Sequence, residues 1–222
     1  MKKIIFLLIS LMIFSNCGYI KEYPTATLEL SKGGEDNSTF NFEQSDHGFI
    51  INAVPADNAA FISKELSSDR AYKGKKSLKI KCQYTGTVPY KGGLLTMQYG
   101  TPQNFKGKKI KAHIWIPGNA FDEKTPYGAN FYVKSGAPNW AWYQSPGNWT
   151  NLKQGTVVVD GVWTEITVNV DDMTKPPPPY SDGSKITEQE STNIVEFGIK
   201  VGQGDHSKNF DGYIYIDSVT IE

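Results

Sequence analysis

The chain has 222 residues, with 23 basic and 23 acidic side chains and a formal net charge of zero. That balance, without a run of like charge, argues against a nucleic-acid partner and against a highly charged polymer. Aromatic residues reach 13 % beside 39 % hydrophobic residues, and 21 glycines and 12 prolines supply the turns that a strand-rich chain needs.

The first residues read as an export signal. Lys2 and Lys3 precede an apolar run over residues 4–14 broken only by Ser10. The run is too short to span a bilayer and has the length of a signal-peptide core. It ends at Phe14-Ser15-Asn16-Cys17-Gly18. This resembles a bacterial lipoprotein lipobox, although Phe14 and Asn16 depart from its strictest form. The resemblance implies a lipoprotein signal peptide over residues 1–17 with lipidation at Cys17, and an exported protein held on a membrane, the outer membrane or the cell surface being favoured. The chain contains only one other cysteine, Cys82. It alternates with Leu78, Ile80 and Tyr84 among polar residues, which puts it on the buried face of a strand as a small hydrophobe. No disulfide framework is expected. Residues 18–38 read as a flexible tether.

Residues 39–222 read as one all-β domain of the β-sandwich or jelly-roll type. Helical periodicity is nearly absent, and strand alternation recurs at 40–43, 59–63, 77–84, 94–99, 109–116, 129–134, 140–145, 156–159, 163–170, 195–201 and 213–221. In the last run both faces are apolar, so that strand is expected at the centre of a sheet. Residues 171–193 form the one long irregular segment, stiffened by four prolines at 176–179. It reads equally as the wall of a cleft and as an idle connection.

The aromatic residues concentrate in residues 131–152, which hold Trp140, Trp142, Tyr143 and Trp149. In an extended run Trp140, Trp142 and Gln144 share one face, with Ala141, Tyr143 and Ser145 on the other. An indole can stack on the C–H side of a sugar while neighbouring amides take its hydroxyls. Trp115 lies on the polar face of its strand with Lys111 and His113, so it joins the expected binding set of Trp115, Trp140, Trp142, Tyr143 and Trp149. The competing reading is that these rings fill a sandwich core. A glycoside hydrolase needs two carboxylates facing across a cleft, and Asp122-Glu123, Asp171-Asp172 and Glu188 with Glu190 all fall in loop-like contexts. A lyase would draw on His113 and Tyr143. The three histidines, His47, His113 and His206, lack metal-ligand spacing.

Four stretches, taken in order, resemble the β-jelly-roll carbohydrate-binding modules that accompany bacterial glycanases. They are Phe40-Asn41-Phe42-Glu43, the Gly-x-x-Ser-Leu of Gly74 to Leu78, the strand beginning Val162-Trp163-Thr164, and the closing Gly212-Tyr213-Ile214-Tyr215-Ile216-Asp217-Ser218-Val219. The resemblance covers nearly all of residues 40–222. It implies non-catalytic binding of a polysaccharide beside a separate glycanase; the aromatic site and the zero net charge favour a neutral β-glucan or mannan type. It also implies a structural Ca²⁺ held by Glu43 and Asp217 with carbonyls near residues 73–76, a set of hard oxygen donors suited to that ion. It further implies that Trp163 packs the core. The alternative reading is a lipid-anchored adhesion or structural protein whose tryptophans meet a protein partner.

Overall fold

The computed structural model describes residues 38–52, 60–84, 92–120, 128–146, 156–157, 162–202 and 209–222. The export signal, Cys17, nearly all of the tether, Trp149 and the Asp122-Glu123 pair lie outside the described residues. In chain order the strands are β1 (Thr39–Phe40), β2 (Ile50–Asn52), β3 (Phe61–Ser67), β4 (Ser77–Tyr84), β5 (Gly92–Gln103) and β6 (Lys109–Trp115). They continue with β7 (Gly128–Ser135), β8 (Trp142–Gln144), β9 (Thr156–Val157), β10 (Thr164–Asn169), β11 (Ile194–Gly202) and β12 (Phe210–Ile221). One short helix, α1 (Glu188–Ser191), follows the proline-rich segment.

These strands form two antiparallel sheets facing each other. The first has the order β10-β6-β12-β4-β3, with β1 also paired to β12; the second has the order β2-β5-β11-β7-β8, with β9 paired to β7. The alternating runs of the sequence thus become a β-sandwich, and β12 is the central strand of its sheet as its two apolar faces demand. The two-residue alternation sends Ile80, Cys82, Ile114, Ile214 and Ile216 of the first sheet inward against Leu95, Phe131, Val133, Phe197 and Ile199 of the second. At the centre Phe197 meets Phe49 edge-on at 5.6 Å between centroids and Phe40 at 5.9 Å. Burying each such ring contributes about 1.5–3 kcal/mol. Cys82 is free and fully buried, its thiol pushed up by burial.

One local irregularity is invisible in the alternation. The β12–β6 register shifts between Asp217 and Thr220, and Ser218 takes φ +50°. Before this bulge the even residues Ile214 and Ile216 face the core; after it the odd residues Val219 and Ile221 do. A bulge re-aims a side chain while the strand continues. Here the re-aimed residues are Val219 and Ile221; Asp217 precedes the shift, in phase with Tyr215, and is fully buried.

Candidate functional site

Subtracting the inward set from the second sheet leaves its outer face in three cross-strand rows. Gln144 (β8), Tyr132 (β7), Gly198 (β11), Thr96 (β5) and Ile50 (β2) are consecutive partners in one row. Trp142, Lys134, Glu196 and Gln98 form the next. Asn130, Lys200, Leu94 and Asn52 form the third. These described positions hold two aromatic rings, four amides, the hydroxyls of Thr96 and Tyr132, two ammonium groups, a single carboxylate and the aliphatic Ile50 and Leu94.

Its centre is a stacked pair. Trp142 lies on the ring of Tyr132 with centroids 3.9 Å apart and planes 9° from parallel. The two residues are diagonal neighbours on adjacent strands, a separation that long aromatic side chains bridge. Tyr132 is fully buried beneath, and Trp142 is half-buried. Glycine at 198 makes this possible. A Cβ there would come within 2.5 Å of the Leu95 carbonyl oxygen and the Tyr132 ring, so the phenol lies across β11 only because nothing stands in its way. The Tyr132 and Thr96 hydroxyls are hydrogen-bonded. Burial, and then the nearby Glu196 carboxylate, hold the phenol far above its ordinary value. Glu196 accepts a hydrogen bond from Gln98 Nε2 at 3.1 Å. Among the described residues Lys134 makes no salt bridge, and the buried Asn130 Oδ1 has no hydrogen-bond partner.

Trp140 lies in the connection between β7 and β8, two residues before β8 begins. It is 60 % exposed, at φ +47°. Within β8, Trp142 and Gln144 share the outer face, as alternation predicts.

Tyr143 does not. Its ring is fully buried in the core, so the expectation that it contacts a ligand is corrected by the same alternation that puts Trp142 outward. Trp115 is placed differently again. It does point with Lys111 and His113, but from the first sheet, so it lies on the opposite outer face from Trp142. There the Arg70 guanidinium covers its ring at 3.7 Å, leaving it 8 % exposed. His113 is stacked beneath Tyr72 at 3.5 Å, and burial lowers its basicity despite the nearby Glu165 and Asp217 carboxylates. His113 and Tyr143 therefore belong to different sheets and different faces. Trp163, expected in the core, is half-buried outside it, with Tyr72 edge-on at 6.0 Å.

Glu43 and Asp217 do converge, on one loop. Glu43 Oε1 accepts the amides of Lys75 (2.7 Å) and Lys76 (3.0 Å); Asp217 Oδ2 accepts those of Tyr72 (2.8 Å) and Lys73 (3.1 Å). Ser218 N–H donates to Asp217 Oδ1 at 2.6 Å. Gly74 is required between them, at φ +80° with Glu43 Oε1 only 2.1 Å from where a Cβ would stand. Burial raises Asp217 above the ordinary carboxylate value, and the Glu43 charge adds to this. The amides of Lys76 and Lys75 lower Glu43. Among the described residues no three His, Cys, Asp or Glu side chains converge as a metal cluster, so backbone or other oxygens would have to complete any cation site here. Two hard carboxylates whose charges repel are donors of the kind a divalent cation takes, but the loop groups placed at them are amide N–H donors rather than the expected carbonyls of residues 73–76.

Sequence alone did not reveal Tyr132, Thr96, Gln98, Glu196 and Gly198 as one surface. The available signal was the polar or small residue at positions 96 and 98 and at 196, 198 and 200.

No family model matches the chain, and no curated protein matches it in sequence. Solved structures match the fold. The chain has the β-sandwich fold of carbohydrate-binding modules. One, from work on the promiscuous specificity of β-sandwich modules, is 24 % identical with a TM-score of 0.52; the match covers 84 % of this chain and 62 % of that one. A family 27 module of Caldicellulosiruptor saccharolyticus, solved with mannohexaose, is 17 % identical, TM-score 0.51, with 83 % and 96 % covered. A family 28 module specific for non-crystalline cellulose is 17 % identical, TM-score 0.52, with 86 % and 95 % covered.

Proposed function

We propose that the outer face of the second sheet binds a polysaccharide without cleaving it, with Trp142 stacked on Tyr132 as its central platform. The observation that carries this is the stacked pair itself, a rigid half-buried indole set among amides and hydroxyls. One face of such an indole matches the C–H side of a pyranose, and Gln98, Gln144, Asn130 and Glu196 supply acceptors and donors for its hydroxyls. Covering one indole face removes on the order of 100 Å² of apolar surface, roughly 2–3 kcal/mol before association costs. Two or three such contacts give micromolar to millimolar binding.

A neutral β-glucan or mannan is the favoured ligand, because uncharged amides and aromatic rings outnumber the charges on this face. Cleavage is disfavoured by the carboxylates. The described strand positions of the face hold only Glu196, whereas glycosidic hydrolysis takes two across the bond. Asp171 instead accepts the Gly107 amide, Asp172 binds Asn169 and Lys185, and Glu188 pairs with Lys106. Lipidation at Cys17 would present the module from a membrane. A Ca²⁺ ion between Glu43 and Asp217 would tie the closing strand to the 72–76 loop.

The test is affinity electrophoresis of the purified protein through gels containing a mixed-linked β-glucan, a mannan, a xylan or soluble cellulose. Selective retardation that Trp142→Ala abolishes, with the fold intact by circular dichroism, is expected. Unretarded migration across the panel overturns the reading.

A further inference from the structure

Trp140 is held in place by more than its own turn. Its amide donates to the Gly136 carbonyl at 3.1 Å, closing the β7–β8 connection. From the segment after the prolines, Asn193 clasps this connection twice: its carbonyl accepts the Gly136 amide at 2.8 Å, and its Nδ2 donates to the Ala137 carbonyl at 2.8 Å. A third hold comes from a buried carboxylate. Glu190, only 6 % exposed, accepts Asn139 Nδ2 on Oε1 at 3.1 Å, while Oε2 accepts the Thr187 amide at 3.0 Å and the Thr187 hydroxyl. The Thr187–Glu190 half is a helix capping box. The Asn139 half is not needed for capping, and it reaches the residue next to Trp140.

The object of these bonds is an exposed tryptophan in a left-handed backbone conformation, which a bulky residue adopts only when its surroundings impose it. Trp140 lies in this connection, two residues before Trp142, whose ring stands on the outer face. Two residues of chain span at most about 7 Å, so a ligand that covers Trp142 reaches the exposed indole of Trp140 as well.

Resting on the polysaccharide-binding reading above, we propose that Trp140 forms a terminal glycan subsite and that Glu190, acting through Asn139, is the positioning residue that fixes it. The long irregular segment between β10 and β11 thereby serves the site from below, by anchoring its end, rather than walling a cleft. The ligand is a linear oligosaccharide long enough to cover both indoles, so the subsite discriminates by chain length.

The test compares cellohexaose with cellobiose, and mannohexaose with mannobiose, by titration calorimetry on the intact protein and on Trp140→Ala, Asn139→Ala, Glu190→Gln and the Asn139→Ala/Trp140→Ala double variant. Trp140→Ala is expected to weaken the hexaose by about tenfold and leave the disaccharide within about twofold, the size of one lost ring contact. Asn139→Ala leaves the capping box intact and should lose most of the same factor, as should Glu190→Gln, whose amide cannot accept from both Asn139 and Thr187. Asn139→Ala should add nothing in the Trp140→Ala background, a coupling that a merely stabilising bond would not show. Hexaose affinity that falls with Trp142→Ala but is unchanged by Trp140→Ala overturns the subsite while leaving the platform standing. Additive losses overturn the positioning role. Wild-type protein that binds neither hexaose overturns both the subsite and the binding reading on which it rests.

Discussion

Trp142 and Tyr132 are 10 residues apart in sequence, on neighbouring strands, and their rings lie 3.9 Å apart and nearly parallel. The lower ring is immobilised by burial and by the Thr96 hydroxyl, so the upper one is presented to solvent on a fixed support. A rigid aromatic surface loses little conformational entropy on binding.

That support makes Gly198 the most sensitive position of the face. Gly198→Ala puts a methyl group within 2.5 Å of the Leu95 carbonyl oxygen and the Tyr132 ring. It should cost about 1–3 kcal/mol of stability, as overpacking does. Glycan affinity should fall with it, because Tyr132 has to tilt and carry Trp142 along. Urea unfolding with affinity electrophoresis checks both; a variant with wild-type retardation would separate the support from the binding.

Trp115 and Trp142 should behave oppositely when truncated. Trp115 lies under Arg70 on the other outer face, so Trp115→Ala should cost about 2–3 kcal/mol through lost burial and the lost cation–π contact. Retardation in glycan gels should stay as in the wild type. Loss of retardation in a folded Trp115→Ala protein would move the binding face to the first sheet.

Calcium should stabilise the domain if it sits between Glu43 and Asp217. Millimolar Ca²⁺ is expected to raise Tm and a chelator to reverse the rise, since a ligand of the native state stabilises by mass action. Asp217→Asn should abolish the calcium-dependent part of the shift. A Tm indifferent to Ca²⁺ and chelator would leave the two carboxylates as acceptors for the 72–76 amides alone.

Glu190 gives the fold an acid-sensitive component. Burial pushes its carboxyl up, but the Thr187 hydroxyl, Tyr143, the Thr187 amide and Asn139 outweigh this and bring it to about 2, from an ordinary 4.5. A carboxyl lowered by folding stabilises the native state above the unfolded value and loses that contribution as pH falls through the folded one. Stability should therefore decline between pH 4.5 and 2, and Glu190→Gln should be less stable near neutrality while losing this share of the decline. Unfolding curves at pH 7, 4 and 2.5 decide it. Equal pH slopes in the two proteins would contradict the assignment.

Alternation of side chains was enough to place most of the strands, to make β12 central and to bury Cys82 with Ile80. These are local consequences of a period of two, and the chain displays them residue by residue. The same rule already put Tyr143 opposite Trp142, and the structure follows it. Short or irregular pieces were not legible. β2 has three residues and α1 four, too few to show a period, and the bulge after Asp217 changes the phase without a glycine or proline to announce it. Nor could any period say that Trp115 and Trp142 face opposite ways, because sheet membership depends on which distant strands pair. The binding surface is assembled in the same non-local way. Gly198 meets Tyr132 across β11 and β7, and Glu190 reaches Asn139 across 51 residues of chain. Such contacts exist only once the two sheets have closed around their common core.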